Sequence, residues 1–224
     1  MKFFLILLTC AALTAGAVIP VLAAGETVII MSYAGDVKVF PRGIQKAVTY
    51  KPGMIIKDGT RIVTGDESYL MLAFDRSGKK LVKVKANSEV IVKLDKEDKI
   101  ELIDGSLFTV LRDIRKGTVF RIRTPDAVCG ARRTGWSAAT ENAVTTVAVF
   151  EDKVFVRGIN RDGSLMEDQV WVYSGYEVKV KRHDRPGKPS KIPKNKLDGM
   201  KNEFGIGVQS MIQKKLENIT RDRH

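Results

Sequence analysis

The chain has 224 residues, with 38 Lys+Arg against 26 Asp+Glu, 44% apolar and 7% aromatic residues, and only 2 Cys and 2 His. Such a composition builds one ordinary core with extensions, and it excludes both an intrinsically disordered chain and a multi-span membrane protein. Both histidines, His183 and His224, lie at the C-terminal end, so a Ser-His-Asp triad, a Cys-His pair or a His-rich zinc site would have to borrow its imidazole from that tail.

In chain order, Met1-Lys2 gives a positive start, residues 3–22 form an uncharged apolar run, and small residues follow at Ala23, Ala24 and Gly25. This pattern predicts a secretory signal peptide over residues 1–24 and a periplasmic or secreted mature protein. An uncleaved inner-membrane signal anchor is the competing reading; Pro20 and the Ala/Gly/Thr-rich middle argue against it. Cleavage removes Cys10 and leaves Cys129 as the one thiol, so no intramolecular disulfide forms. Val128-Cys129-Gly130-Ala131 suits a small buried hydrophobe better than a nucleophile.

Residues 25–182 read as an all-β domain. Short β-branched or aromatic runs alternate with a period of two, as in Val119-Phe120-Arg121-Ile122-Arg123 and Lys153-Val154-Phe155-Val156-Arg157. Asp58-Gly59, Ser77-Gly78, Asp104-Gly105, Asp162-Gly163 and Ser174-Gly175 supply turns between them. Strand starts recur without a fixed period, which suits a sandwich or a short irregular β-solenoid. Residues 183–194 form a basic, Pro-rich linker, read as solvated. Beyond it Leu197, Met200, Phe204, Val208, Met211, Ile212, Leu216 and Ile219 recur at steps of three or four. They predict an amphipathic helix over about residues 196–220 of the segment 195–224, capped by Asn195 with Asp198 and docked on the β domain.

The basic character is concentrated at this end: residues 181–224 hold 12 Lys+Arg and 5 Asp+Glu, a net of +7. Lys181, Arg182, Arg185, Lys188, Lys191 and Lys194 are the candidate electrostatic contacts of the tail, toward an anionic membrane surface or cell-wall polymer. Nucleic acid is not an expected partner, since no aromatic residue punctuates the basic run.

Six pieces follow one another in a consistent order over about residues 27–181: Gly35-Asp36-Val37-Lys38-Val39, the stretch from Pro52 to Leu72, Gly105-Ser106-Leu107, the strand ending Arg123-Thr124-Pro125-Asp126-Ala127-Val128, Val147-Ala148-Val149-Phe150-Glu151 and Ser174-Gly175-Tyr176-Glu177-Val178. Together this order of turns and strands resembles the FecR-like domain family of bacterial envelope proteins. One departure stands out: where the family shows Arg-Gly-Thr, this chain has Arg132-Arg133-Thr134, with Arg133 at the glycine position and Gly135 two residues on. Either the local backbone differs or Arg133 carries strain.

The resemblance implies a non-enzymatic signalling or scaffolding module, in a stand-alone exported version to which the sigma-factor role is not carried over. Its expected partner is an envelope protein or cell-wall polymer, and open strand edges would favour β-augmentation. Arg132, Arg133 and Trp136 are the candidate partner contacts, because Arg and Trp dominate interface hot spots; for Trp136, on an alternating strand, a place in the core is the alternative. Carbohydrate binding would require Trp171, Tyr173 and Tyr176 to share a face. No cofactor and no metal site is expected: the one calcium-like element, Asp162-Gly163, is an ordinary turn. The enzyme alternatives are Cys129 as a nucleophile without a base, and Asp66 with Glu67 as an acid and base pair that only a turn could bring together.

Overall fold

The computed structural model describes residues 27–94, 96–112 and 119–204. The signal segment and most of the expected C-terminal helix lie outside the described residues. Sixteen strands form two layers. The first layer runs in the order β3 (Ile55–Ile56), β1 (Val28–Ala34), β5 (Tyr69–Ala73), β6 (Lys80–Val84), the second half of β8 (Asp98–Leu111), β11 (Gly135–Glu141), β12 (Val144–Glu151), β15 (Tyr176–Lys181) and β16 (Ser190–Lys191). The second runs β2 (Val37–Phe40), β4 (Arg61–Thr64), β7 (Ser88–Val92), the first half of β8, β9 (Phe120–Arg123), β10 (Ala127–Ala131), β13 (Lys153–Ile159) and β14 (Leu165–Tyr173). Only the β8–β9 pair is parallel among the described ladders. The sheets are open, and the all-β sandwich with a C-terminal helix is as the sequence predicts.

β8 belongs to both layers. Its residues from Ile100 to Asp104 pair with β7, and those from Gly105 to Val110 pair with β11. The change of layer occurs at Gly105, whose φ of 83° lies in the left-handed region that a side chain resists. Asp104-Gly105 is therefore a bend inside one strand, and not a turn between two. Most other crossings use the same device, with positive φ at Gly35, Gly59, Glu67, Asn87, Asp152 and Gly175. The crossing from β10 to β11, at Arg132-Arg133-Thr134, is made without one. Arg133 thus carries no left-handed strain.

Why the layers adhere follows from the alternation. Val37, Val39, Ile62, Val90, Val92, Ile122 and Val156 point from the second layer toward Val28, Ile30, Leu70, Leu72, Val82, Val84 and Val147 of the first, in one continuous core. The first layer is also covered on its outer face, where Ile29, Met31, Met71, Leu81, Phe108, Val110 and Phe150 cluster with Ile192 and Met200, and Leu197 packs against them. Burial on both faces explains the unbroken apolar runs Val28-Ile29-Ile30-Met31 and Leu70-Met71-Leu72-Ala73-Phe74.

The cover is α1 (Lys194–Phe204). It begins slightly before the sequence expectation: the Leu197 amide donates to the Pro193 carbonyl, which places Asn195 inside the first turn and not at the cap. Each buried apolar side chain here contributes about 1.5–3 kcal/mol. Glu203 pairs with Lys83 of β6 and with Lys85 just after it, and Lys196 with Glu177 of β15.

The Pro-rich segment before the helix is held to the sheet. The Gly187 amide donates to the Lys179 carbonyl, Ser190 and Lys191 pair with β15, and Ile192 is buried. Its prolines are compatible with this because an outermost strand need not donate on its free side. A second tie lies at Thr124-Pro125-Asp126. Asp126 is completely buried, and its carboxylate accepts from Arg182 Nε at 3.0 Å and from Thr145 Oγ1 at 3.0 Å. Thr124 Oγ1 accepts from the Ala127 amide and meets Thr145 Oγ1 at 2.7 Å.

Candidate interaction site

The segment joining β10 to β11 is fixed from below. Thr134 exchanges backbone hydrogen bonds with Leu111, and its hydroxyl donates to the Glu151 carbonyl. Gly135 lies under the Phe150 ring, which comes so close that a Cβ at that position would overlap it. With the following residues pinned, Arg132 and Arg133 project outward and are exposed. Neither meets a carboxylate among the described residues.

Trp136 does not join them. It is completely buried in the inter-sheet core, on the same face of β11 as Ala138. The expectation of an exposed Trp136 contact is corrected: small residues at Ala138 and Thr140 leave room for the indole inside. The exposed indole that lines a depression with the two arginines is Trp171, 44% exposed on β14. Arg132, Arg133, Lys153, Phe155 and Trp171 line a depression of about 320 Å³ together with Val119, Gly130, Ala131 and Asp152. Its floor is shaped by Gly130, where an added Cβ would lie 2.8 Å from the Phe155 ring and 2.9 Å from Arg121 Cγ. Phe155 and Trp171 meet edge to face at 6.2 Å, and Lys153 Nζ sits 5.0 Å from the Trp171 ring centre. Lys153 and Phe155 were not singled out in the sequence, although the alternation of Lys153-Val154-Phe155-Val156-Arg157 already sets them on one face.

β14 ends the second layer, with β13 on one side and no described strand on the other. The Ser174 amide donates to the Asp152 carbonyl at 2.7 Å, and the register pairs Tyr173 with Lys153 and Trp171 with Phe155. Hydrogen-bonded and non-hydrogen-bonded pairs alternate along an antiparallel ladder, so residues 170, 172 and 174 turn their amides to β13. The amides of Gln169, Trp171 and Tyr173 therefore face outward along the free edge. Trp171 and Tyr173 share the outer face of β14, whereas Tyr176 lies on β15 in the other layer, so the three-residue aromatic platform is not formed.

The other anticipated groups fall elsewhere. Cys129 is buried in the core, and burial pushes its thiol up to about 12 against a smaller opposing effect of the Trp136 indole N–H. A thiol so held is protonated at neutral pH and makes a poor nucleophile. Asp66 and Glu67 do occupy a tight turn, but both are exposed, and Asp66 accepts from Asn87. Of the tail cations, Arg182 is committed to Asp126 and Arg185 pairs with Asp168 at 3.0 Å. Lys181, Lys188, Lys191 and Lys194 are exposed. A second charged cluster, on β8 and β9, is neutralised internally: Arg121 pairs with Asp98 and Glu97, Arg123 with Asp98, and Lys93 with Glu101. Among the described residues no three metal-ligating side chains converge, and no helix is long and apolar enough to cross a membrane.

Fold and site together define a β-sandwich with an open strand edge and a basic, aromatic-walled depression beside it. The family model described as FecR protein matches residues 60–155, from the residue before β4 into β13, so the chain carries a FecR-type region. Two crystal structures, each of a chain assigned as an anti-sigma factor from Parabacteroides distasonis ATCC 8503, are similar to it. One, at 1.65 Å, has 14% identity and a TM-score of 0.47; the other, at 2.50 Å, has 16% identity and a TM-score of 0.48. Each alignment covers 62% of this chain and 62% of the solved chain, so this protein spans somewhat under two thirds of their length. No curated protein matches.

Proposed function

We propose that the chain is an exported, non-catalytic interaction module of the cell envelope that acts in signalling or scaffolding by accepting a strand of a partner protein on the edge of β14. The FecR-type region supports a regulatory role, and the similar solved proteins are assigned as anti-sigma factors. The observation that carries the reading is the row of outward amides at Gln169, Trp171 and Tyr173. β14 spans nine residues and contains neither Lys nor Pro, the residues that commonly blunt a free edge. Main-chain pairing there would supply affinity, and the flanking side chains selectivity.

The test is site-specific photo-cross-linking from position 169 of the full-length chain in intact envelopes, with position 141 as control. Adducts with a protein at 169 and not at 141, abolished by a second substitution Trp171→Pro, are expected. Equal labelling at both positions would refute edge addition. Export is tested by N-terminal sequencing of the periplasmic protein, with Gly25 expected first. The exposed Lys188, Lys191 and Lys194 support a second reading, attraction to anionic lipid or cell-wall polymer. It predicts sedimentation with phosphatidylglycerol vesicles that is lost when the three are changed to Gln.

A further inference from the structure

The depression beside β14 differs from the other charged surface of this layer in one respect. On β8 and β9 each arginine already faces a carboxylate. In the depression, among the described residues, the cations Arg132, Arg133 and Lys153 stand against one acid, Asp152, over an apolar wall of Phe155 and Trp171. Lys153 Nζ lies over the Trp171 and Tyr173 rings at 5.0 and 6.0 Å, so its ammonium is held at the aromatic wall. Arginine presents a planar fork matched to a carboxylate, and two adjacent forks beside an aromatic wall select an anion with an apolar neighbour.

Continuity with the strand edge identifies the kind of molecule. Trp171 is at once a wall of the depression and one of the outward amides. Strands lie about 4.8 Å apart, so the rim arginines at the end of β10 stand roughly 10 Å from β14 and roughly 14 Å from a strand added beyond it. The long Arg132 and Arg133 side chains and an acidic side chain of the added strand, directed at one another across the depression, close that gap. We infer that the partner segment accepted by this protein is acidic: a Glu or Asp engages Arg132 and Arg133, and an aromatic or aliphatic side chain two residues from it, on the same face of the added strand, packs on Phe155 and Trp171. The inference rests on the strand-addition reading and supplies its specificity.

The probes are a blocked pentapeptide Thr-Glu-Thr-Phe-Thr, whose Glu and Phe fall on one face of an extended strand, its counterpart with Lys in place of Glu, and an oligogalacturonate as an acidic non-peptide. Binding to the full-length, isotope-labelled protein is followed by the indole N–H signals, with buried Trp136 as internal reference. The Glu peptide is expected to shift the Trp171 signal and leave Trp136 in place. Affinity should fall at least tenfold in the variant Arg132→Glu, Arg133→Glu, and also in raised salt. Equal binding of the Lys peptide, no binding of the Glu peptide at millimolar concentration, or preference for oligogalacturonate would each overturn the inference. Cross-linking from position 169 separates the two readings. Adducts that persist unchanged in the double arginine variant leave strand addition standing without the acidic specificity; absence of adducts in the unmodified chain removes strand addition itself.

Discussion

The bend of β8 at Gly105 makes a quantitative prediction, because the chain holds a second glycine with the same φ and different surroundings. Gly105 and Gly163 both have φ of 83°. A Cβ at Gly105 would overlap the Asn87 carbonyl oxygen and Ser88 Oγ and lie 2.6 Å from Ser88 Cα, whereas at Gly163 nothing lies within 4 Å. Forcing an alanine into the left-handed region costs about 1–2 kcal/mol, and that cost is common to both sites. Displacing backbone in a packed region adds about 1–3 kcal/mol at Gly105 alone. The displacement also disturbs the Ser88 hydroxyl, which accepts from the Ser106 amide at 2.9 Å and donates to the Ser106 carbonyl at 3.0 Å. Gly163→Ala should therefore lower stability by about 1–2 kcal/mol and Gly105→Ala by about 2–5 kcal/mol. With a urea slope of about 2 kcal/mol per M, the two midpoints should differ by about 0.5–1.5 M. Urea unfolding followed by circular dichroism reads this difference, with the slope checked for constancy. Equal losses at the two sites would show that β8 has room at its bend and that the steric account is wrong.

Three further outcomes are expected. Cys129 should resist a thiol reagent in the native protein at pH 8 and react at a rate that rises with denaturant; rapid native labelling would contradict its burial. Its pKa of about 12 exceeds that of an unfolded thiol, near 8.5, so the unfolded chain loses its proton first as pH rises. This group's contribution to stability is thus complete below about pH 8.5 and declines by about 1.4 kcal/mol per pH unit until pH approaches 12. Cys129→Ala should flatten that decline in a series of urea titrations. Arg182→Ala, which strips a buried carboxylate of its cation, should cost about 1–3 kcal/mol by urea unfolding, allowing for the solvent exposure of the arginine. Arg185→Ala, at an exposed pair, should change stability by less than about 0.5 kcal/mol, and equal effects would deny Asp126 its anchoring role. Met200→Ala should cost about 2 kcal/mol and speed amide exchange in α1 ahead of β11; unchanged exchange would mean that the helix is held by its ion pairs.

Much of the architecture was legible because alternation and turn chemistry are local. Lys153-Val154-Phe155-Val156-Arg157 announces a strand with one apolar face, and it forms one. What sequence could not display is which Gly or Asn turn closes a hairpin and which carries the chain between layers: Gly163 and Gly175 look alike, yet the first joins paired strands and the second crosses the sandwich. The unbroken apolar run at Val28-Ile29-Ile30-Met31 fits burial on both faces, which a reading from alternation passes over because the covering helix lies over 160 residues away in the chain. At the site, Arg132 and Arg133 are exposed as their charge suggests. Trp136 and Trp171 exchange the roles composition would allow either, because the side of a strand that an indole occupies depends on register, and register depends on partners distant in sequence.

The shared strand β8 has a consequence for how the halves communicate. Among the described ladders, strands β1 to β7 pair with one another or with β8, and β9 to β16 do likewise, so β8 is the one backbone seam between them. The halves are thus in mechanical series in both layers. A load applied through a strand added to β14 would pass from β13 to β10 and β9, then to β8, before it reached the N-terminal half. Under tension that seam should set the rupture force of the whole domain, and a pulling geometry that shears it should meet far more resistance than one that peels β14 away.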